Sequence, residues 1–101
     1  MTVALRRGPS PVTKSPLADQ DFGFKWHKWL QAGETITIST WIISPTGELS
    51  SDLDSISVAG DITTIWLQDG VAGANYLVTN HVTTSLTRED DRTMRVHVVD
   101  R

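Results

Sequence analysis

From Glu34 onward, apolar and polar positions alternate along the chain. In Glu34 to Ser44 (ETITISTWIIS), Ile36, Ile38, Thr40 and Ile42 share one parity, while Thr35, Thr37 and Ser39 take the other, which is the period of a half-buried strand. Trp41 sits on the polar parity. Either both faces are covered at that end of the strand, or a bulge near Ser39-Thr40 swaps the faces and turns Trp41 inward. Pro45 has no N–H for a ladder, so the strand ends by Ile43 or Ser44.

The same pattern predicts a strand over Ile62 to Gln68 (ITTIWLQ), closed by Asp69-Gly70. Another covers Tyr76 to Val82, with Tyr76, Val78 and Val82 inward. A last hairpin turns through Thr87 to Asp91, and Arg92 to Asp100 returns with Met94, Val96 and Val98 on one face. Phe22 and Phe24 alternate with Gly23 and Lys25, as in a first strand, and the spacing of Trp26 and Trp29 fits a single helical or 3₁₀ turn. Glu48 to Asp61 is polar until Ile56-Ser57-Val58. Strands at roughly ten-residue intervals, with no helix of useful length, predict an all-β fold: an immunoglobulin-like or fibronectin-like antiparallel β-sandwich. The 101 residues make one domain, because half of them would bury too little surface to fold alone.

Residues 1–20 break the alternation. They hold Pro9, Pro11 and Pro16, no aromatic residue and the pair Arg6-Arg7, and are read as an extended N-terminal arm preceding a β-sandwich domain of residues 21–101. The arm carries Arg6, Arg7 and Lys14 against Asp19, a net +2, whereas residues 21–101 carry six basic and eleven acidic side chains, a net −5. Arm and body therefore attract, and an extended arm has the reach to lie across a neighbouring copy. Arg6, Arg7 and Lys14 are the candidate partner contacts on the arm.

A net charge of −3 and the lack of a basic stripe interleaved with aromatics argue against nucleic-acid binding. The absence of cysteine removes disulfides, thiolate metal sites and thiol nucleophiles. No apolar run is long enough for a membrane span, and the start of the chain has too short an apolar stretch for a secretory signal, so a soluble product made in the cytoplasm is expected. A hairpin centred on Glu89 would set His81 opposite His97, but two imidazoles leave a metal site incomplete. His27, Asp52 and Asp54, and Glu89-Asp90-Asp91 read as solvated turn residues. Gly70-Val71-Ala72-Gly73 lacks the lysine and helix of a phosphate loop. No nucleophile elbow or dinucleotide fingerprint is present, so no enzyme activity and no cofactor are expected. Core filling is the leading role of each of the four tryptophans: Trp41 and Trp66 are expected inside, and Trp26 and Trp29 capping one end, where part of their area is left for a partner.

The ordered series Trp26-x-x-Trp29-Leu30-x-x-Gly33, then Ser39-Thr40-Trp41, then Trp66-Leu67-x-x-Gly70-x-x-Gly73-x-x-Tyr76-x-Val78-Thr79-Asn80 is similar to that of small immunoglobulin-like accessory proteins in the virions of tailed bacteriophages, of the fibre-tail adaptor or head-tail type. Arg88, Arg92 and Arg95 match in type the basic last hairpin of that family. The resemblance covers about residues 21–100. It implies a structural virion protein present in several copies, whose partners are tail, portal, adaptor or fibre proteins and which carries no catalytic residue. A capsid decoration protein and a carbohydrate- or receptor-binding module stacking on Trp26 and Trp29 are the alternatives. Independently of the family, a tyrosine such as Tyr76 at the head of its strand can fix the neighbouring corner through its hydroxyl.

Overall fold

The computed structural model describes residues 12–16 and 18–99. These form strands β1 (Val12–Lys14), β2 (Gln20–Lys25), β3 (Ile36–Ser44), β4 (Leu49–Ile56), β5 (Ile62–Asp69), β6 (Asn75–Thr84) and β7 (Glu89–Val98). One sheet has the order β1-β7-β6-β3 and the other β2-β5-β4; every pairing is antiparallel except that of β1 with β7. The all-β sandwich expected from the alternation is thus present, and its core lies between Phe22, Phe24, Ile65 and Leu67 of one sheet and Val78, Val82, Met94, Val96 and Val98 of the other.

Two elements differ from the sequence reading for identifiable reasons. Leu49–Ile56 is a strand although its alternation is faint, since it is an edge strand whose side chains are almost all exposed; only Leu49 is buried and Ile56 partly so. Val12–Lys14, assigned to the arm, adds to the edge of the larger sheet in register Val12↔Val96 to Lys14↔Val98. Three residues carry too little pattern to read as a strand, yet backbone pairing to β7 needs none.

Inside β3, the face swap that Trp41 demanded does occur, but earlier. The register with β6 slips between Ile36 and Ile38, so Ile36 is buried while Ile38 and Ile42 point outward and Trp41 and Ile43 pack against the core. The bulge lies at Thr37 rather than near Ser39-Thr40. Trp66 is corrected as well. Thr63, Ile65 and Leu67 are the inward positions of β5, so Trp66 has the outward parity and is 37% exposed.

The β6–β7 hairpin is centred on Leu86, not Glu89. Thr87 adopts φ 62°, the Thr84 N–H donates to the Arg88 carbonyl at 2.9 Å, and the Thr84 hydroxyl accepts the N–H groups of Leu86 and Arg88. That side chain closes the turn, a local polar device that charge counting along 87–91 overlooks. His81 consequently faces Asp91, and His97 faces Asn75.

A polar chain crosses the core and holds the layers in register. Trp26 Nε1 donates to the Thr63 hydroxyl at 3.1 Å, which donates to Asn80 Oδ1 at 2.6 Å, and Asn80 Nδ2 donates to the Ser39 hydroxyl and to the Thr40 carbonyl. Thr63 is on β5 and Asn80 on β6, so the two sheets are joined by side chains that each find a partner without water.

Candidate interaction surface

The aromatic residues gather at one end of the sandwich. Trp41 stacks on Phe24 (5.9 Å between centroids, 15°), Phe24 meets Trp26 edge-on at 6.3 Å, and Trp26 meets Trp29 edge-on at 5.3 Å. The Trp29 and Leu30 N–H groups both donate to the Trp26 carbonyl, the single turn that the spacing predicted. Arginines from the last hairpin close over the row: the Arg92 guanidinium lies 4.1 Å from the Trp26 ring and that of Arg88 4.3 Å from Trp29. Arg92 also donates to the Lys25 carbonyl at 2.7 Å, and Arg88 to the Trp29 carbonyl at 3.0 Å.

Arg88 is fixed in turn by Glu34, whose side chain is sealed from solvent. Arg88 Nη2 donates to Glu34 Oε1 at 2.5 Å and Nε to Oε2 at 2.9 Å, a two-pronged pairing, while the Gln31 N–H and the Thr84 hydroxyl donate to the same carboxylate. With the Arg88 fork as the leading cause, the Glu34 carboxyl is held down to about 2.

These contacts decide what the expected contact residues can offer. Trp26 is fully buried, so the area expected to face a partner is already covered by Phe24, Trp29 and Arg92. Trp29 is half-buried with Arg88 over it. Lys14 is buried in β1, its ammonium donating to the carbonyls of Ser15 at 2.8 Å and Asp69 at 2.6 Å, and burial lowers its pKa. It acts inside the body rather than as a cation offered to a neighbour. Arg6 and Arg7 lie outside the described residues.

His81 and His97 do not form a pair, because the hairpin register separates them. His81 Nε2 lies 2.9 Å from Glu89 and its Nδ1 contacts Asp91, which together raise its pKa, with Asp91 the larger cause. The carboxylates sit at opposite ring nitrogens, so the three groups do not converge on one point. No group of three or more His, Asp or Glu among the described residues is arranged to hold a metal.

Tyr76 fixes its corner as its position suggested. The hydroxyl accepts the Val71 N–H at 2.9 Å and donates to Glu48 at 2.8 Å, tying the β5–β6 loop to the start of β4. No helix among the described residues is long and apolar enough to cross a membrane.

Part of the exposed apolar surface lies where periodicity had placed core. On the outer face of the larger sheet, Ile38 is 54% and Ile42 62% exposed, and Leu77 of β6, diagonal to Ile42 across the ladder, is 50% exposed. β3 is the terminal strand of that sheet, and no described strand pairs with its far side. Thr35 to Gly47 contains no charged residue, so this edge lacks the lysine or acidic guard that commonly blocks strand addition. Sequence reasoning missed this surface because the bulge at Thr37 reverses the parity on which it depended.

A family model described as podophage GP4 fibre-tail adaptor protein gp77 matches residues 14–97. The chain belongs to this family. The match includes the Trp26/Trp29 turn, the Arg88 and Arg92 caps and the Tyr76 corner, so the residues that shape the aromatic end and the β5–β6 corner lie within it. Among solved structures, the chain is similar to the solution structure of the PKD domain from KIAA 1837 protein, with a TM-score of 0.52 and 13% identity over 100% of this chain and 91% of that one. That likeness concerns the immunoglobulin-like sandwich alone. No curated protein matches the chain.

Proposed function

We propose that this protein is a structural component of a tailed-phage virion that joins fibre to tail by protein–protein contacts, several copies lying side by side in the particle. The observation that carries the reading is the adaptor-family match across residues 14–97. Geometry supports it: the open, uncharged edge of β3 beside Ile38, Ile42 and Leu77 is a surface on which an extended segment can add as a further strand, its backbone supplying affinity and the two isoleucines an apolar floor. The basic residues at the start of the chain are assigned a second contact. No catalytic step, cofactor or nucleic acid enters this function.

The carbohydrate-stacking alternative loses its platform, since Trp26 is buried and Arg88 covers Trp29. Decoration of the capsid would use the same fold, and location separates the two. Cryo-electron microscopy of purified particles should place the chain where fibres meet the tail, in several copies, and mass spectrometry should find it in those particles. Density on the capsid shell, or absence of the chain from purified particles, would overturn the proposal.

A further inference from the structure

Trp66 occupies the middle of the outer face of the smaller sheet, pointing away from the core. Register sets Asp21 of β2 directly beside it on one side and Asp52 of β4 on the other. Such cross-strand neighbours have Cβ atoms about 5 Å from each other. Close to the indole that face is small or polar, with Gly23, Thr64, Gln68, Ser50 and Ser55 on its parity, and Ile62 and Lys25 lie two rungs away at its end. A large indole flanked on both sides by carboxylates, on a flat face where the core has no use for it, is the arrangement that receives a flat cation. A guanidinium stacks on the ring while its N–H fork reaches a carboxylate at the ring's edge.

The acids are available for that use. Asp21 makes no hydrogen bond or ion pair among the described residues, and the side chain of Asp52 accepts only the Leu53 N–H at 2.8 Å, which orients it next to the rung and leaves its second oxygen open. Leu53, at the bulge where two β4 residues oppose one of β5, has φ 51° and is exposed, so the backbone turns sharply just beyond the rung. Lys25, on the same face, is four residues along β2 from Asp21, about 13 Å away and too far to fill the site.

We infer that the Asp21–Trp66–Asp52 rung is the seat for an arginine of the N-terminal segment, Arg6 or Arg7, contributed by a neighbouring copy of the chain. Charge complementarity points to this occupant. Residues 1–11 hold two arginines and no acidic residue, a net +2, whereas residues 12–101 carry seven basic and twelve acidic side chains, a net −5. Reach allows it, because eleven extended residues span about 37 Å beyond Val12. The inference rests on the virion reading above for the presence of adjacent copies, and it names the surface that the basic segment engages there.

The experiment titrates a fluorescein-labelled peptide, MTVALRRGPSP, into full-length chain carrying R6Q/R7Q, so that the chain's own segment does not compete. Saturable binding is expected. It should weaken about tenfold in chain that also carries W66A, and by a similar factor with D21N/D52N, which keeps the indole. The R6Q/R7Q peptide should not bind, and affinity should fall as salt rises. Trp66 and both aspartates are exposed, so circular dichroism should show all variants folded. Sedimentation of the wild-type chain should reveal concentration-dependent association that W66A abolishes. Failure of the peptide to bind, equal binding by W66A or D21N/D52N, or a wild-type chain that stays monomeric at every concentration overturns the inference. The fibre–tail role is read from particles alone and can stand if this titration fails.

Discussion

Glu34 and Arg88, 54 positions apart in the chain, meet as a two-pronged ion pair that fastens the last hairpin to the turn carrying Trp26 and Trp29. The pair sits between the start of β3 and the β6–β7 turn, so removing either charge loosens the arginine cap over the indole row. Because the folded carboxyl is held at about 2 against an ordinary 4.5, Glu34 contributes its stabilisation fully above pH 4.5, and that contribution drains away as pH falls toward 2. Glu34→Gln should unfold at lower urea than wild type at neutral pH, and the gap between the two midpoints should narrow as the pH is lowered from 4.5 toward 2. A gap independent of pH would contradict this account.

His81 works in the opposite direction. Asp91 and Glu89 raise its pKa above 6.5, so the imidazolium stabilises the fold most fully below pH 6.5 and ceases to as pH climbs through the higher folded value. An NMR titration should give a midpoint above 6.5. Asp91→Asn should move it down toward that ordinary value, more than Glu89→Gln does, since Asp91 is the larger cause.

The Tyr76 hydroxyl accepts one hydrogen bond and donates another, and phenylalanine would leave the Val71 N–H and the Glu48 carboxylate to solvent. Tyr76→Phe should cost about 1–2 kcal/mol in chemical denaturation. Its effect should concentrate in faster hydrogen exchange of the β5–β6 loop, whereas uniform loss of protection would speak against a corner-specific role.

Because β1 pairs with β7 and buries Lys14, the place of truncation matters more than its length. Removing residues 1–11 keeps Val12–Lys14 and should leave thermal stability near that of the full chain, while removing residues 1–18 strips a strand and exposes the edge of β7 at Val96–Val98. The longer truncation should melt several degrees lower. Equal melting temperatures would show that β1 contributes nothing to the fold.

Ile38 and Ile42 can be charged without disturbing the core, since both point away from it. Ile38→Lys with Ile42→Lys should change stability by no more than about 1 kcal/mol in total. Particles carrying this chain should nonetheless lose their fibres or the chain itself, because lysine on an edge strand opposes strand addition. Normal fibre occupancy would remove β3 from the assembly interface.

Much of the architecture was legible because β-branched alternation in β5, β6 and β7 is strong, and because Tyr76 and the glycines before it mark a corner by their chemistry. The weakly patterned strands were not: β4 lies at an edge with almost nothing to bury, and β1 is three residues long. Where the reading went astray, it did so in strand register. A slip at Thr37 turned Ile38 and Ile42 from core to surface, and a hairpin centred on Leu86 instead of Glu89 parted His81 from His97.

The roles of the tryptophans show the same division. Spacing alone set the turn at Trp26 and Trp29, but Arg88 and Arg92, which decide that these rings are covered, come from the far end of the chain, and Arg88 is held in place by Glu34. The sequence by itself determined the fold class, because period-two burial requires neighbouring strands whatever their order. Only the tertiary structure decided which residues of β3 and β5 face outward, including Trp66 between Asp21 and Asp52, because register is a property of paired strands and a one-residue shift exchanges the two faces.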